Sequence, residues 1–420
     1  MSYLHRAKTR FLIWRLFVNT LTKAGSGRTR GVGLFTLVAA TSVALVAAGC
    51  SSNSSAEADG AATLEPGQLL SSQQLRGAPV LPSAARSELI TYVSQNAQGD
   101  PVVVSGTVSI PKTSAPDGGW PVLSWAHGTT GVSDICAPSA DSDDGLAHDY
   151  LGVVDETLDR YVADGYVVVQ TDYVGMGTPG GHPYMDGGTE ANAVVDIVRA
   201  SRELDDSISN QWYAMGHSQG GHATLFTAAQ GAERAPELDL RGAVAIAPGN
   251  GTSQTPAYLA SGNPAVAPAL AFLPLILLGA EAADPSIDAD SYVTPTSKAL
   301  LTAARNGCVA QIRDVIPSVP VDQAFAPGAD MDKLIGYLKK QEPAQLKLSV
   351  PTMILQGTAD TLVAEPGSKA LAKALCDSGS TVGYKTYEGA DHRAAVADSF
   401  GDAEQFFQQL QAGGTPAGTC

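Results

Sequence analysis

The stretch Gln211-Trp-Tyr-Ala-Met-Gly-His-Ser-Gln-Gly-Gly-His222 decides how this chain is read. Residues 212–215 are apolar and predict a buried strand. That run breaks at Gly216-His217-Ser218-Gln219-Gly220, and from His222 onward the Ala, Thr and Leu content predicts a helix. A G-x-S-x-G pattern set between strand and helix forms a turn so sharp that side chains two residues before and after the serine would clash. Gly216 and Gly220 meet that demand. The turn leaves Ser218 exposed above a sheet, at the positive end of the following helix. Ser218 is the candidate nucleophile.

On either side of this stretch, apolar strands alternate with amphipathic helices. Residues 87–94 and 102–110 predict an opening hairpin joined by Asn96-Ala-Gln-Gly-Asp100. Residues 121–125, 166–170, 242–247, 351–355 and 382–387 predict further strands, with helices over 150–163, 189–204 and about 394–410. This order means a mostly parallel sheet covered on both faces, an α/β fold whose chemistry sits at the carboxyl ends of the strands.

A nucleophilic serine needs a base. Only His222 and His392 follow Ser218. His222 lies one turn along the nucleophile's own helix and cannot fold back, so His392, in Glu388-Gly-Ala-Asp-His392 after the last strand, is the base. The acid that orients it belongs after the preceding strand, where Gln356-Gly-Thr-Ala-Asp360 places Asp360. Asp391 and Glu365 are the rivals; Asp391 adjoins His392, and neighbouring side chains diverge. An oxyanion needs two preorganised donors. The N–H of Gln219, directly after the nucleophile, is one candidate, and the N–H of Thr129 in His127-Gly128-Thr129 is the other. His127 itself reads as a brace for that loop.

Taken together, Gly216-His-Ser-Gln-Gly-Gly221, Asp172-Tyr-Val-Gly-Met-Gly-Thr-Pro179, His182-Pro-Tyr184, Gly357-Thr-Ala-Asp360 and Asp391-His392 resemble the secretory lipase family of α/β-hydrolases, from about residue 84 to the end. The resemblance implies an α/β-hydrolase fold, hydrolysis of acylglycerols and other acyl esters without a cofactor, and a helical lid inserted before the acid-bearing strand. The residues suggest no catalytic role for the stretch from Asp172 to Tyr184, which also suits a rigid loop. The insertion is legible without the resemblance. Residues 250–349 separate two strands that one helix could connect, and residues 265–280 are almost wholly apolar. Pro268, Pro274 and the short length argue against a membrane span. Leu275 and Leu277 are expected to form lid and acyl-binding wall.

Residues 1–49 carry Arg6, Lys8, Arg10, Arg15, Lys23, Arg28 and Arg30, no acidic residue, and an apolar run over 32–48. This is an export signal. Ala47-Ala48-Gly49-Cys50 resembles a bacterial lipobox, which would make Cys50 a lipidated first residue, although Ala47 stands where Leu is usual. Plain secretion is the alternative. Residues 50–80 read as a flexible tether, Ser-, Ala- and Gly-rich over much of their length, and 81–420 as one hydrolase domain. The whole chain has a net charge of −16, and losing the basic leader makes the remainder more acidic still. Such a surface argues against nucleic acid and against electrostatic attachment to anionic lipid. A lipid anchor is the one membrane link expected.

No metal is expected: Asp141-Ser-Asp-Asp-Gly145 lacks the ligand spacing of a calcium loop. Beyond Cys50, Cys136, Cys308, Cys376 and Cys420 allow three pairings. Pairing Cys376 with Cys420 would tie the chain end beside the His392 loop, and Cys136 with Cys308 would clamp the insertion to the core. The family resemblance points the same way, and a free terminal Cys420 is the alternative. Two other functions use the same residues: a serine peptidase of this fold, and a lipid-binding protein that keeps the fold without catalysis.

Overall fold

The computed structural model describes residues 64–414 and Cys420. The expected signal sequence and Cys50 lie outside the described residues. Strands β1 (Leu69–Gln74), β2 (Ala84–Gln95), β3 (Pro101–Pro111), β4 (Trp120–Ala126), β5 (Val167–Thr171), β6 (Ile208–His217), β7 (Asp239–Ile246), β8 (Thr352–Gly357) and β9 (Val382–Tyr387) form one sheet. Its order is β1-β2-β3-β5-β4-β6-β7-β8-β9. The first three strands pair antiparallel, and β3 meets β5 antiparallel. From β5 onward the pairs are parallel, which requires a crossover between successive strands.

The crossovers supply α1 (His148–Ala163), α2 (Gly187–Leu204), α3 (Gln219–Arg234) and α9 (Glu365–Asp377). The chain closes with α10 (Ala394–Asp398) and α11 (Phe400–Gln411). The period of two in the central strands divides the core. Trp212 and Ala214 of β6 pack on one face with Val194, Val198, Leu225 and Leu375. Tyr213 and Met215 pack on the other with Leu158, Tyr161, Phe406 and Phe407. Both faces are buried, which is why these strands show continuous rather than alternating apolarity.

The sheet edge takes up part of the segment expected as tether. Residues 69–74, read as part of the tether, are β1, paired with β2 from Leu69 opposite Tyr92 to Gln74 opposite Glu88. Leu75 and Leu81 are buried beyond it. An outer strand exposed along nearly its whole length needs no apolar period, so Leu-Leu-Ser-Ser-Gln-Gln carries no strand signal.

Between β7 and β8 the chain leaves the sheet and builds a helical cap. It contains α4 (Thr255–Ala260), α5 (Leu273–Ala283), α6 (Lys298–Asn306), α7 (Val309–Val315) and α8 (Met331–Lys340). The cap has a core of its own, including Leu270, Ile276, Leu300, Leu301, Ile312 and Leu334. The 3-10 segment Pro264–Ala271 meets α5 at 45°. Among the described residues no single helix is long and apolar enough to cross a membrane. Cys136 and Cys308 are bonded, with Cα atoms 5.6 Å apart, and so are Cys376 and Cys420. The first bond joins the loop after β4 to the start of α7, where Val309 N–H also donates to the Thr130 carbonyl at 2.9 Å. The cap is therefore stitched to the loop in which Thr129 lies.

Candidate active site

Ser218 sits between β6 and α3 with φ 60° and ψ −116°, a strained conformation for a residue with a side chain. The fold enforces it. A Cβ on Gly220 would overlap the Ala126 carbonyl, and one on Gly216 would come within 2.7 Å of the same oxygen. The elbow is packed against the end of β4 with no room for either side chain.

His392 follows β9 in a loop that brings its Nε2 to 2.9 Å from Ser218 Oγ. Its Nδ1 lies 2.7 Å from Asp360 Oδ2. A carboxylate can only accept, so Nδ1 carries the proton and Nε2 is free to accept from the serine hydroxyl. The other Asp360 oxygen accepts from the N–H groups of Leu362 and Val363, both at 2.9 Å, and Gln356 Nε2 donates to Oδ2 at 3.0 Å. Burial works against the charged carboxylate, but His392 and these amides outweigh it and hold Asp360 below the usual carboxylate range. The rivals are engaged elsewhere. Asp391 accepts from the backbone of Arg393 and Ala394, and Glu365 from the Tyr384 hydroxyl.

Behind this line runs a second, buried one. Gly128 N–H donates to Tyr150 Oη at 2.9 Å, and Tyr150 Oη donates to His217 Nδ1 at 3.0 Å. His217 Nε2–H then donates to the His392 carbonyl at 2.8 Å. Burial, then the neighbouring His392, lowers His217 to about 3 and keeps its ring neutral, as this pattern requires. The chain ties the loop after β4, the elbow and the His392 loop together. It also consumes the Gly128 N–H. The Thr129 N–H has no acceptor among the described residues, and Thr129 Oγ1 pairs with Tyr184 Oη at 2.9 Å.

Gln219 opens α3, where a backbone N–H has no acceptor within the helix. Its side-chain amide donates to Glu190 Oε1 at 2.7 Å and to His182 Nε2 at 2.9 Å. His182 is lowered to about 3 by burial, and its Nδ1–H donates to the Val174 carbonyl at 3.0 Å. Glu190 in turn accepts from His222 Nδ1 at 3.1 Å. The stretch from Asp172 to Tyr184 thus holds both Thr129 and Gln219 from below. Sequence reasoning gave it no role, because each contact spans tens of residues. His127 does brace its loop: Nδ1–H donates to the Gly128 carbonyl at 2.8 Å, and its ring packs 4.4 Å from that of Tyr173.

Ser218 and His392 open into a cleft of about 570 Å³ whose walls include Thr129, Thr130, Phe272, Val309 and Leu362. Leu275 and Leu277, expected as acyl-binding wall, do not line it. Both are fully buried in the cap's own core. Most of α5 is apolar and packs into the cap, and it is Phe272, just before α5, that reaches the cleft. Tyr150 and His217 were not legible in the sequence as site residues. His217 adjoins Ser218, but nothing in the sequence pairs it with a tyrosine on α1.

The sequence pattern of secretory lipases matches residues 152–413. Lipase A of Moesziomyces aphidis is 26% identical over 385 residues, covering 85% of this chain and 79% of that protein. A probable inactive lipase of Mycobacterium tuberculosis is 29% identical over 194 residues, 44% of this chain and 42% of that protein. In structure the chain resembles Candida antarctica lipase A in its closed state, with TM-score 0.70, 21% identity and 85% of each chain covered. It also resembles a ligand-bound form of the rice cell wall degrading esterase LipA from Xanthomonas oryzae, with TM-score 0.64, 21% identity, and 84% and 100% coverage. At these identities the structural likenesses speak to the fold. With the family pattern spanning more than half its length, the chain belongs to the secretory lipase family, on an α/β-hydrolase fold.

Proposed function

We propose that the chain is an exported serine ester hydrolase, a lipase-type enzyme that acts on acyl esters through a covalent acyl-enzyme. The observation that carries the reading is the line Ser218 Oγ, His392 Nε2, His392 Nδ1, Asp360 Oδ2, with steps of 2.9 and 2.7 Å across the ends of three strands. His392 takes the Ser218 proton as Oγ attacks the ester carbonyl carbon. The tetrahedral oxyanion is held by the N–H groups of Gln219 and Thr129, each worth on the order of 3 kcal/mol. The imidazolium, stabilised by ionised Asp360, protonates the alkoxide as the C–O bond breaks and the alcohol departs. Water then gives a proton to His392 and attacks the acyl carbon, releasing the acid and restoring Ser218.

The family and the apolar residues Phe272 and Val309 in the cleft favour esters over peptides. A non-catalytic reading draws on the relative whose name marks it as a probable inactive lipase. Labelling by a fluorophosphonate probe decides between the two: an active serine is modified at Ser218, whereas a binding protein stays unlabelled. Rates on p-nitrophenyl esters and on p-nitroanilides then separate esterase from peptidase. Export, with acylation of Cys50, completes the proposal. It rests on the basic leader and on Ala47-Ala48-Gly49-Cys50. Fatty-acid labelling that is lost in Cys50→Ser tests the acylation.

A further inference from the structure

Two arginines reach the cleft that holds Ser218 and His392. Arg313 comes from the cap helix α7, and Arg393 directly follows the base. Arg313 lies four residues after Val309, so the two share a face of α7 about 6 Å apart along its axis. Val309 N–H donates to the Thr130 carbonyl, which holds the start of α7, and with it the Arg313 backbone, beside the loop carrying Thr129. Arg393 is held more lightly. One guanidinium nitrogen donates to the Asp149 carbonyl at 3.4 Å, and the group lies 5.6 Å from the Tyr150 ring centre. Its remaining N–H groups are left for other acceptors.

Neither arginine has a carboxylate within ion-pair distance among the described residues. Two acidic residues share the cleft, Asp149 and Asp391. The Asp391 carboxylate is turned to the amides of Arg393 and Ala394, at 3.0 and 2.9 Å, and Asp149 meets Arg393 only through its backbone carbonyl. Partial burial, then the nearby charge of Arg393, pulls Arg313 below its ordinary value. In a chain of net charge −16, two arginines line this cleft and neither is ion-paired to the carboxylates that share it.

We propose that this cleft selects acyl esters whose alcohol portion carries an anionic group, carboxylate or phosphate, received between Arg313 and Arg393. The proposal rests on the ester-hydrolase reading of Ser218 and His392. The alcohol side follows from the chemistry: His392 hands its proton to the departing oxygen, so the residue next to His392 borders the leaving group. Arginine's fork of donors matches a carboxylate or a phosphate in two-point contact.

The test compares kcat/KM on 3-(butyryloxy)benzoate with that on its methyl ester, which has the same acyl group and a neutral leaving group. The anionic-to-neutral ratio of the wild-type protein is expected to exceed that of an Arg313→Gln/Arg393→Gln double variant by about fivefold to tenfold, from two part-exposed charge contacts. Taking the ratio within each protein cancels any general loss of activity. Arg313→Glu should push the ratio below that of the double variant and favour 3-(butyryloxy)phenyltrimethylammonium instead. Raising the salt from about 10 mM to about 0.5 M should shrink the wild-type ratio, since exposed charges are screened. A ratio unmoved by both the double variant and salt would overturn the proposal while leaving the ester-hydrolase reading intact. If neither butyrate ester is hydrolysed, the ester-hydrolase reading fails, and the anion selectivity falls with it. The carboxylate and phosphate arms are told apart by repeating the series with 3-(butyryloxy)phenyl phosphate.

Discussion

The His217 ring donates to the backbone carbonyl of His392 at 2.8 Å, so the residue before Ser218 fixes the loop that carries His392. The other side of that ring accepts from Tyr150, which in turn holds Gly128. Alignment of Ser218 and His392 is therefore set behind the pair as well as between them.

Tyr150→Phe should expose how much this line contributes. It leaves the Gly128 N–H and His217 Nδ1 buried without partners, at about 1–3 kcal/mol. We expect kcat to fall about tenfold or more while KM stays within about twofold, because the loss acts on alignment rather than on binding. Steady-state kinetics alongside thermal melting checks it. A fall in melting temperature with kcat unchanged would reduce Tyr150 to packing.

Ser218→Ala should lower ester hydrolysis by several orders of magnitude and abolish fluorophosphonate labelling, with little change in melting temperature. The hydroxyl's hydrogen bond is to His392, and the fold's grip on the elbow lies in Gly216 and Gly220. Retention of a tenth of the activity would point to a different nucleophile.

The depressed carboxyl of Asp360 gives a pH signature. A group whose folded value lies below its unfolded value adds stability above the unfolded value of about 4, and that stability is lost as the pH falls through the folded value. Asp360→Asn should therefore be less stable than the wild type above about pH 5, with the gap closing below about pH 4. Denaturant titrations at a series of pH values measure the gap. A gap constant with pH would mean that ionised Asp360 contributes nothing to the fold.

Acyl-chain preference should follow Phe272 and not α5. Phe272→Ala should reduce hydrolysis of long-chain p-nitrophenyl esters more than that of the acetate, since Phe272 lines the cleft. Leu275→Ala, deep in the cap core, should instead cost about 2–5 kcal/mol of stability and lower all chain lengths in proportion.

The two disulfides should separate in their effects. Removing Cys136–Cys308 frees the start of α7 from the loop carrying Thr129, so stability should fall by about 2–5 kcal/mol together with activity per folded molecule. Removing Cys376–Cys420 should lower stability and leave the specific activity close to wild type. Melting curves and active-site titration of the two double-serine variants distinguish these outcomes.

Features that depend on local pattern and chain order are legible in the residues alone. The elbow around Ser218 was legible because its glycines are forced by a clash within a few residues and the flanking period switches from strand to helix. The alternation of strands and helices dictated the parallel sheet, and the positions of Asp360 and His392 after the last two strands followed from where such sheets carry chemistry. Contacts that join distant segments arise only when the chain folds. Tyr150 meets His217 across 67 residues and Gln219 meets His182 across 37, and no local preference encodes either pairing. Burial was hidden for the same reason. β1 gave no signal because an edge exposed to water needs no apolar side chains, and Leu275 and Leu277 looked like a substrate wall because apolarity does not say which apolar surface a side chain will meet.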